Sequence, residues 1–239
     1  EGYNTTIVKL IKLIETENAS DNNGKLVLSR RNSAHDSAIT SSKKSYREKF
    51  FDVLRTSIVE EINKIYELHQ ENVHKLLEEL NNAVSVLVFV NLEIVPLFPD
   101  RYNILHFYVL EYHRAIYDVT SKIINDKLEA SVILSLLKWV KEYYDMLNIR
   151  LGVSEELLEP RLLDNKDGEL TETYIALVKI KLNEWMTNIV KTETNDFTVR
   201  KEPPDTDGDM KYILTGSVIV FQMFNQQIDL VSTSSKGKL

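Results

Sequence analysis

The sequence predicts an all-α protein built as an elongated stack of antiparallel helices, a helical-bundle rod. Through most of the chain, apolar residues recur at steps of three and four, which is the spacing of one face of a helix. The 239 residues include only 7 glycines and 5 prolines, and because Pro96 is the first proline, long tracts are free to stay helical. The apolar fraction of 43% is enough for a continuous core.

The chain divides by composition into three segments. Residues 1–16 predict a short N-terminal helix, because Ile7, Leu10, Ile11 and Ile14 share one face. Residues 17–45 shift to Asn, Asp and Ser with little apolar periodicity, which predicts a flexible loop. Residues 46–239 predict the helical-bundle rod.

The rod begins with a long apolar stripe, which predicts one long helix or two nearly collinear helices. It runs through Phe51, Leu54, Ile58, Ile62, Ile65, His69, Val73, Leu76, Leu80 and Ala83. Pro96 and Pro99 then force a break. The next helix carries Leu105, Tyr108, Tyr112, Ile116, Val119 and Ile123 on one face.

Three further helices are predicted downstream. Asp126 and Glu129 have the spacing of a capping box ahead of a helix through Ile133, Leu136, Val140, Tyr143 and Leu147. Gly152 ends it, and Ser154 caps a short piece that ends at Pro160. The polar turn 164–168 leads into a helix with Ile175, Val178, Leu182, Trp185 and Ile189, and the last helix starts at about Thr215, with Val218, Phe221, Phe224, Ile228 and Val231.

The predicted loop is locally basic. Seven basic and two acidic residues give residues 25–49 a net charge of +5. The run Arg30-Arg31-Asn32-Ser33 fits basic-directed kinases, so Ser33 is a possible phosphorylation site. Arg30, Arg31, Lys43 and Lys44 are possible contacts to anionic lipid. The alternative is a solvated loop with scattered cations.

No pattern in the chain supports catalysis, a cofactor or a metal. There is no cysteine, no glycine-rich phosphate loop and no nucleophile elbow. The net charge of -7 argues against a nucleic-acid partner. The histidines lack the spacing of the HExxH motif, and the longest apolar stretch, residues 84–98, is too short and interrupted to cross a bilayer.

The acidic stretch Lys201 to Asp209 is the most conspicuous short motif. An EF-hand loop that starts at Asp205 would need glycine at its sixth position and glutamate at its twelfth, where this chain has Met210 and Gly216. Pro203 and Pro204 prevent continuation of a helix, so an exposed interhelical connector without a bound ion is expected. A weak, adventitious cation is the alternative.

Aromatic residues concentrate in the second half of the chain, and two interpretations stay open. They could anchor a partner interface, or they could be core residues of helix packing. The set is Trp139, Tyr143, Tyr144, Trp185, Phe197, Tyr212, Phe221 and Phe224. Because apolar seams look alike in both cases, the partner-binding residues are unknown at this stage.

Three ordered segments resemble the Sec-six family, the third component of the exocyst. They are ILSLLKWVKEYYDML at residues 133–147, LNEWMTNIVKTETNDFTVRKEPPDTDGDMKY at 182–212 and VIVFQMFNQQIDLVSTSSKGKL at 218–239. The resemblance covers about residues 45–239 and leaves the Asn/Ser-rich loop out. It implies a middle part of a chain several times longer, built from helical bundles in series.

The resemblance also implies a function without catalysis. The exocyst tethers secretory vesicles to the plasma membrane before SNARE-mediated fusion, so the expected partners are other exocyst subunits and plasma-membrane SNAREs with their regulators. The expected location is the cytoplasm, with peripheral recruitment to the plasma membrane at sites of secretion. The alternative function is a membrane- or SNARE-regulating binding module that uses the basic loop 25–49.

Overall fold

The computed structural model describes residues 2–29, 45–201 and 203–234. Within these ranges every regular element is a helix or a helical turn, and the one β contact is an isolated bridge between Thr206 and Tyr212. The prediction of an all-α fold is confirmed.

Seven α-helices account for most of the described chain. They are α1 (Gly2–Ser29), α2 (Tyr46–His69), α3 (Val73–Phe89), α4 (Ile104–Ile124), α5 (Ala130–Asp145), α6 (Asp167–Val199) and α7 (Thr215–Ser234). The α3 helix continues as a π-helical turn, Val90–Ile94, and a 3-10 turn, Val95–Leu97. The chain forms two compact units, Glu1–Lys122 with Asp145–Leu162, and Ile123–Tyr144 with Leu163–Leu239.

The first helix is longer than the sequence predicts. It ends at Ser29, thirteen residues beyond the predicted boundary at residue 16. The extra residues contain no proline and include Glu17, Ala19, Lys25 and Leu26, which have good helix propensity. Helix propensity therefore outweighs the lack of apolar periodicity. Of the predicted loop 17–45, residues 30–44 lie outside the described residues.

The α2 and α3 helices form a hairpin in the first unit. Asn72 caps α3, because its side chain accepts a hydrogen bond from the Lys75 amide at 3.1 Å. The reversal is visible at the far end, where Phe50 near the start of α2 lies 5.8 Å, between ring centroids, from Phe98 just after α3. The expectation of one helix or two nearly collinear helices is wrong, because the apolar stripe continues across a turn that reverses the chain.

The α4 helix runs parallel to α2. Phe51 and Phe107 lie 4.6 Å apart near the start of both helices, and Lys122 lies 4.5 Å from the Tyr66 ring near their ends. The core of this unit consists mainly of the predicted stripes, including Ile58, Ile62, Leu76, Leu80, Tyr112, Ile116, Val119 and Leu147.

The second unit is packed at one end and open at the other. The stripe predicted for α5 is buried through Ile133, Leu136, Val140 and Tyr143. In contrast, α6 has only two buried residues, Leu170 and Tyr174, both in its first two turns or just after them. The remaining turns of α6 and most of α7 are half-buried or exposed.

One helical run among the described residues could cross a membrane by length and composition alone. It spans Val73–Leu97, 25 residues with a mean hydropathy of 1.6. The run is longer than the stretch judged from the sequence, because it includes the whole of α3. Its Leu76, Leu80 and Leu87 side chains are fully buried in the first unit, so the hydropathy has a packing explanation.

Candidate functional site

The acidic stretch is an exposed connector between α6 and α7, as the sequence predicts. Its carboxylates are used by the loop itself. One oxygen of Asp207 accepts hydrogen bonds from the amides of Asp209 and Lys211 at 2.9 and 2.8 Å, and Asp205 accepts one from the Thr215 hydroxyl at 2.7 Å. Side-chain oxygens that satisfy turn amides explain the clustered aspartates without a ligand.

No metal cluster is found in the described part of the chain, where no group of three or more acidic or histidine side chains could hold an ion. His113, for example, is already engaged by other groups of the protein. Its ring is fully buried, and its Nε2 lies 2.9 Å from the Pro160 carbonyl oxygen. Burial lowers the pKa of His113 and the carbonyl contacts oppose that change. The contact between His113 and Pro160 holds α4 against the segment that follows α5.

A polar network joins α2 to α4 in the first unit. The buried Glu111 carboxylate pairs with Arg55 and Arg114, each at 3.1 Å. The adjacent Tyr112 hydroxyl donates a hydrogen bond to Glu61 at 2.9 Å. Burial and the acceptor Glu61 raise the pKa of Tyr112 strongly, so its proton stays on the hydroxyl at neutral pH. All five side chains have a partner in one of these two pairings, which indicates a structural role.

Two depressions in the surface could hold a ligand by volume. One, of about 590 Å³, lies between α1 and residues 96–101. Two of the charged groups at its edge pair with each other, since Glu15 binds both Arg101 and the Tyr102 hydroxyl, the latter at 2.8 Å. The other, of about 530 Å³, is lined by α6 residues alone, from Ile180 to Asn188. Among its described lining residues, neither contains a group of three or more acidic or histidine side chains that could hold an ion.

An aromatic cluster lies in the first unit near the start of α2. Phe51 lies 4.6 Å from Phe107, and Phe98 lies 5.5 Å from Tyr102. Arg47 crosses this cluster, with its guanidinium 4.6 Å from the Tyr102 ring and a hydrogen bond to the Arg101 carbonyl at 2.5 Å. Three of the seven cations counted in the basic loop, Lys25, Arg47 and Lys49, lie in α1 or α2, and Arg47 is in addition part of this cluster.

The aromatic residues that the sequence singled out divide between the two interpretations. Trp139 and Tyr143 are buried in α5 and stacked 5.6 Å apart, so they are core residues. Four others are exposed on α6, α7 and the loop between them: Phe197 (74%), Tyr212 (79%), Phe221 (71%) and Phe224 (39%). The exposed group is the one available to a partner.

The first turn of α7 is held tightly against α6. The Gly216 amide donates a hydrogen bond to the Glu193 carboxylate at 2.6 Å. A carboxylate at a helix N-terminus satisfies a free amide and complements the helix dipole. A Cβ atom on Gly216 would lie 2.6 Å from a methyl carbon of Ile189, so only glycine allows this approach. Sequence reasoning missed this contact because Glu193 is 23 residues away along the chain.

Exposed apolar side chains are most concentrated on α6, α7 and their connecting loop. These regions contain more exposed large apolar side chains than the rest of the described chain together. The set is Ile180, Met186, Val190, Phe197, Val199, Met210, Tyr212, Ile213, Leu214, Val218, Ile219, Phe221, Phe224, Ile228 and Leu230. We call this set the α6–α7 apolar surface. Concentrations of exposed apolar side chains often mark interaction sites, so this surface is the candidate interaction site.

The residues predicted for modification and lipid contact fall elsewhere. Ser33, Arg30, Arg31, Lys43 and Lys44 all lie outside the described residues. The structure neither brings them together nor separates them, and they stay predictions.

Comparison with known proteins identifies relatives along the whole chain. A family model described as exocyst complex component Sec6 matches residues 1–239. The exocyst component sec6 of Schizosaccharomyces pombe is 27% identical over 251 aligned residues, which cover 99% of this chain and 32% of the relative. SEC6 of Saccharomyces cerevisiae is 26% identical over 164 residues, 69% of this chain and 20% of the relative.

A more distant animal relative is also similar. Exocyst complex component 3 of Drosophila melanogaster is 25% identical over 205 residues, which cover 80% of this chain and 27% of the relative. The chain thus spans a third or less of the length of these relatives. No solved structure matches it.

Proposed function

Because this chain belongs to the Sec6 family of exocyst components, we propose that it is a non-enzymatic structural part of the exocyst, a middle part of the longer subunit. The match over residues 1–239 is the observation that carries the proposal. The packing agrees with it, since Glu111, Tyr112 and His113 on α4 are each engaged by a partner within the first unit.

The proposed role is mechanical. Helices that pack side by side can hold contact surfaces at fixed positions along a subunit, and the other exocyst subunits are the proposed partners for those surfaces. In this role the complex tethers secretory vesicles to the plasma membrane before SNARE-mediated fusion. Plasma-membrane SNAREs and their regulators are proposed as further partners, and the cytoplasm, with recruitment to sites of secretion, as the location.

Binding of the purified chain to purified exocyst subunits tests this role. Two exposed apolar positions, one in each unit, serve as probes: Leu92→Asp (66% exposed) and Val190→Asp (62% exposed). A buried aspartate in an interface costs on the order of 2 kcal/mol or more, so at least one probe should weaken binding about tenfold or more. Asn63→Asp and Asn188→Asp add the same charge at exposed polar positions and should leave the affinity unchanged.

The outcome that contradicts the proposal is equally specific. If the chain, folded as judged by circular dichroism, binds none of the other exocyst subunits, then a structural role within the complex through these residues is wrong. SNARE binding is measured separately with the same variants, because the two partner classes can fail independently.

A second candidate function is a membrane- or SNARE-regulating module that uses the basic loop 25–49. Its support is the local charge of +5, which would attract an anionic membrane surface. Arg47 is committed to the aromatic cluster of the first unit, so Arg30, Arg31, Lys43 and Lys44 would have to supply most of the attraction. Phosphorylation of Ser33 would oppose it by adding negative charge.

A further inference from the structure

The α7 helix is apolar on two opposite sides. Val220, Met223 and Gln227 are half-buried and lie on the side that Gly216 presents to α6. At 100° per residue, Val218, Phe221, Asn225 and Ile228 lie on the far side. There the three apolar side chains are 46%, 71% and 62% exposed. We call these four residues the α7 seam.

The α7 helix has a polar side, but the seam is not part of it. Asp229 is the only charged residue among the 20 of the helix. The side of a helix that faces solvent carries charged or polar residues. On α7 these are Thr215, Gln222, Gln226 and Asp229, which share one exposed side beside the seam. Exposure of the seam in this chain therefore indicates that something covers it in the complete protein.

The pattern of the seam fits a helix. Its residues follow steps of three, four and three, the spacing that packs against a neighbouring helix. Asn225 interrupts the apolar positions, and a single polar residue in such a seam fixes the register of the partner helix. A membrane surface fits poorly, because interfacial helices carry Lys and Arg beside their apolar face and α7 has neither.

The length of the family's chains points to the source of that helix. The 251 aligned residues are only 32% of the S. pombe relative, so about two thirds of that chain lies outside the match. Helices adjacent in sequence usually pack together, and a helix on the same chain has a local concentration in the millimolar range. We propose that a helix from the part of the longer chain outside these 239 residues covers the α7 seam.

Thiol labelling of single-cysteine variants tests this proposal, which rests on the chain being a middle part of the subunit and not on tethering. The 239 residues contain no cysteine, so V218C and I228C report on the seam alone. Q226C, on an exposed flank of the same helix, is the matched control. Each variant is compared in two lengths, the 239-residue chain and the full subunit, with any cysteine of the remaining sequence replaced.

The seam thiols should label about tenfold or more slowly in the full subunit than in the 239-residue chain, because labelling then requires local opening. The Q226C thiol should label at similar rates in both. Adding Phe221→Asp to V218C should restore fast labelling in the full subunit, whereas Gln226→Asp should not.

Three results would overturn the proposal. Equal labelling of V218C in both lengths would show that no helix of the same chain covers the seam. Slow labelling only after the other exocyst subunits are added would assign the seam to another subunit. Slow labelling of the 239-residue chain that depends on its concentration would assign it to a second copy. The first and third results are independent of whether the subunit binds its partners in the binding assay.

Discussion

Replacing Gly216 with alanine should destabilise the packing of α7 on α6. The added Cβ would lie 2.6 Å from Cγ2 of Ile189 and 2.9 Å from Oε1 of Glu193, both closer than van der Waals contact allows. Overpacking of this kind costs about 1–3 kcal/mol. If Glu193 moves away to relieve the contact, its hydrogen bond to the Gly216 amide is lost, at about 1.5–3 kcal/mol for a charged acceptor.

Helix propensity works in the opposite direction. Alanine is favoured over glycine in a helix by about 0.5–1 kcal/mol, so the net loss should be about 1–2 kcal/mol. Gly168 is a matched control, because it lies in the first turn of α6 and a Cβ there would have no neighbour within 4 Å. Gly168→Ala should stabilise the chain slightly, while Gly216→Ala should destabilise it.

Hydrogen exchange of the α7 amides measures the effect locally, which matters because the two units need not unfold together. A loss of 1.4 kcal/mol would speed exchange about tenfold. A double-mutant cycle with Glu193→Ala should be non-additive, since both changes act on one contact. If Gly216→Ala slows α7 exchange as Gly168→Ala slows exchange in α6, the contact can relax without cost and the reasoning is wrong.

Three further predictions concern other parts of the chain. Glu111→Ala should lower the unfolding free energy of the first unit by about 1–2 kcal/mol, because it removes a buried carboxylate from two partly exposed arginines. The control Glu60→Ala, at an exposed position, should change the unfolding free energy by less than about 0.5 kcal/mol. Urea denaturation measures both values. Burial lowers the pKa of His113, so the unfolded chain takes up its proton first and stability should fall as pH drops below about 6.5. His113→Gln should reduce that pH dependence in denaturation series, and an unchanged dependence would assign it to other groups. If the basic loop contacts lipid, neutralising Arg30, Arg31, Lys43 and Lys44 should abolish pelleting with anionic liposomes; pelleting that is unchanged would exclude this role.

The sequence predicts the helices well where their residues act locally. The α4 and α7 helices begin close to the predicted positions, because Pro99 and the acidic loop interrupt the chain there. Gly152 adopts a positive φ of 64° where it ends the helical run after α5, as predicted. The predicted capping box is displaced, since α5 begins at Ala130 and the Glu129 carbonyl accepts its first hydrogen bonds.

Contacts between distant residues are what the sequence does not predict. The chain reverses between α2 and α3 at Asn72, which caps α3. From the sequence alone, this asparagine could equally be a polar residue on the exposed side of one continuous helix. The pairing of Glu111 with Arg55 joins residues 56 positions apart in sequence, and no local spacing indicates it. The contact between Glu193 and the start of α7 also joins residues that are far apart in the sequence, so no local spacing indicates it.

Two apolar seams of equal regularity differ in burial in the second unit. The α5 seam is buried, with Leu136 fully enclosed, whereas the α7 seam leaves Phe221 71% exposed. Periodicity alone does not separate the two, because core packing and partner packing use the same side chains. The structure separates them, because the α7 seam stays exposed although polar residues occupy a different side of the helix. For a chain matching a third or less of its relatives, uncharged seams that remain exposed are the positions at which the missing contacts of the subunit should first be sought.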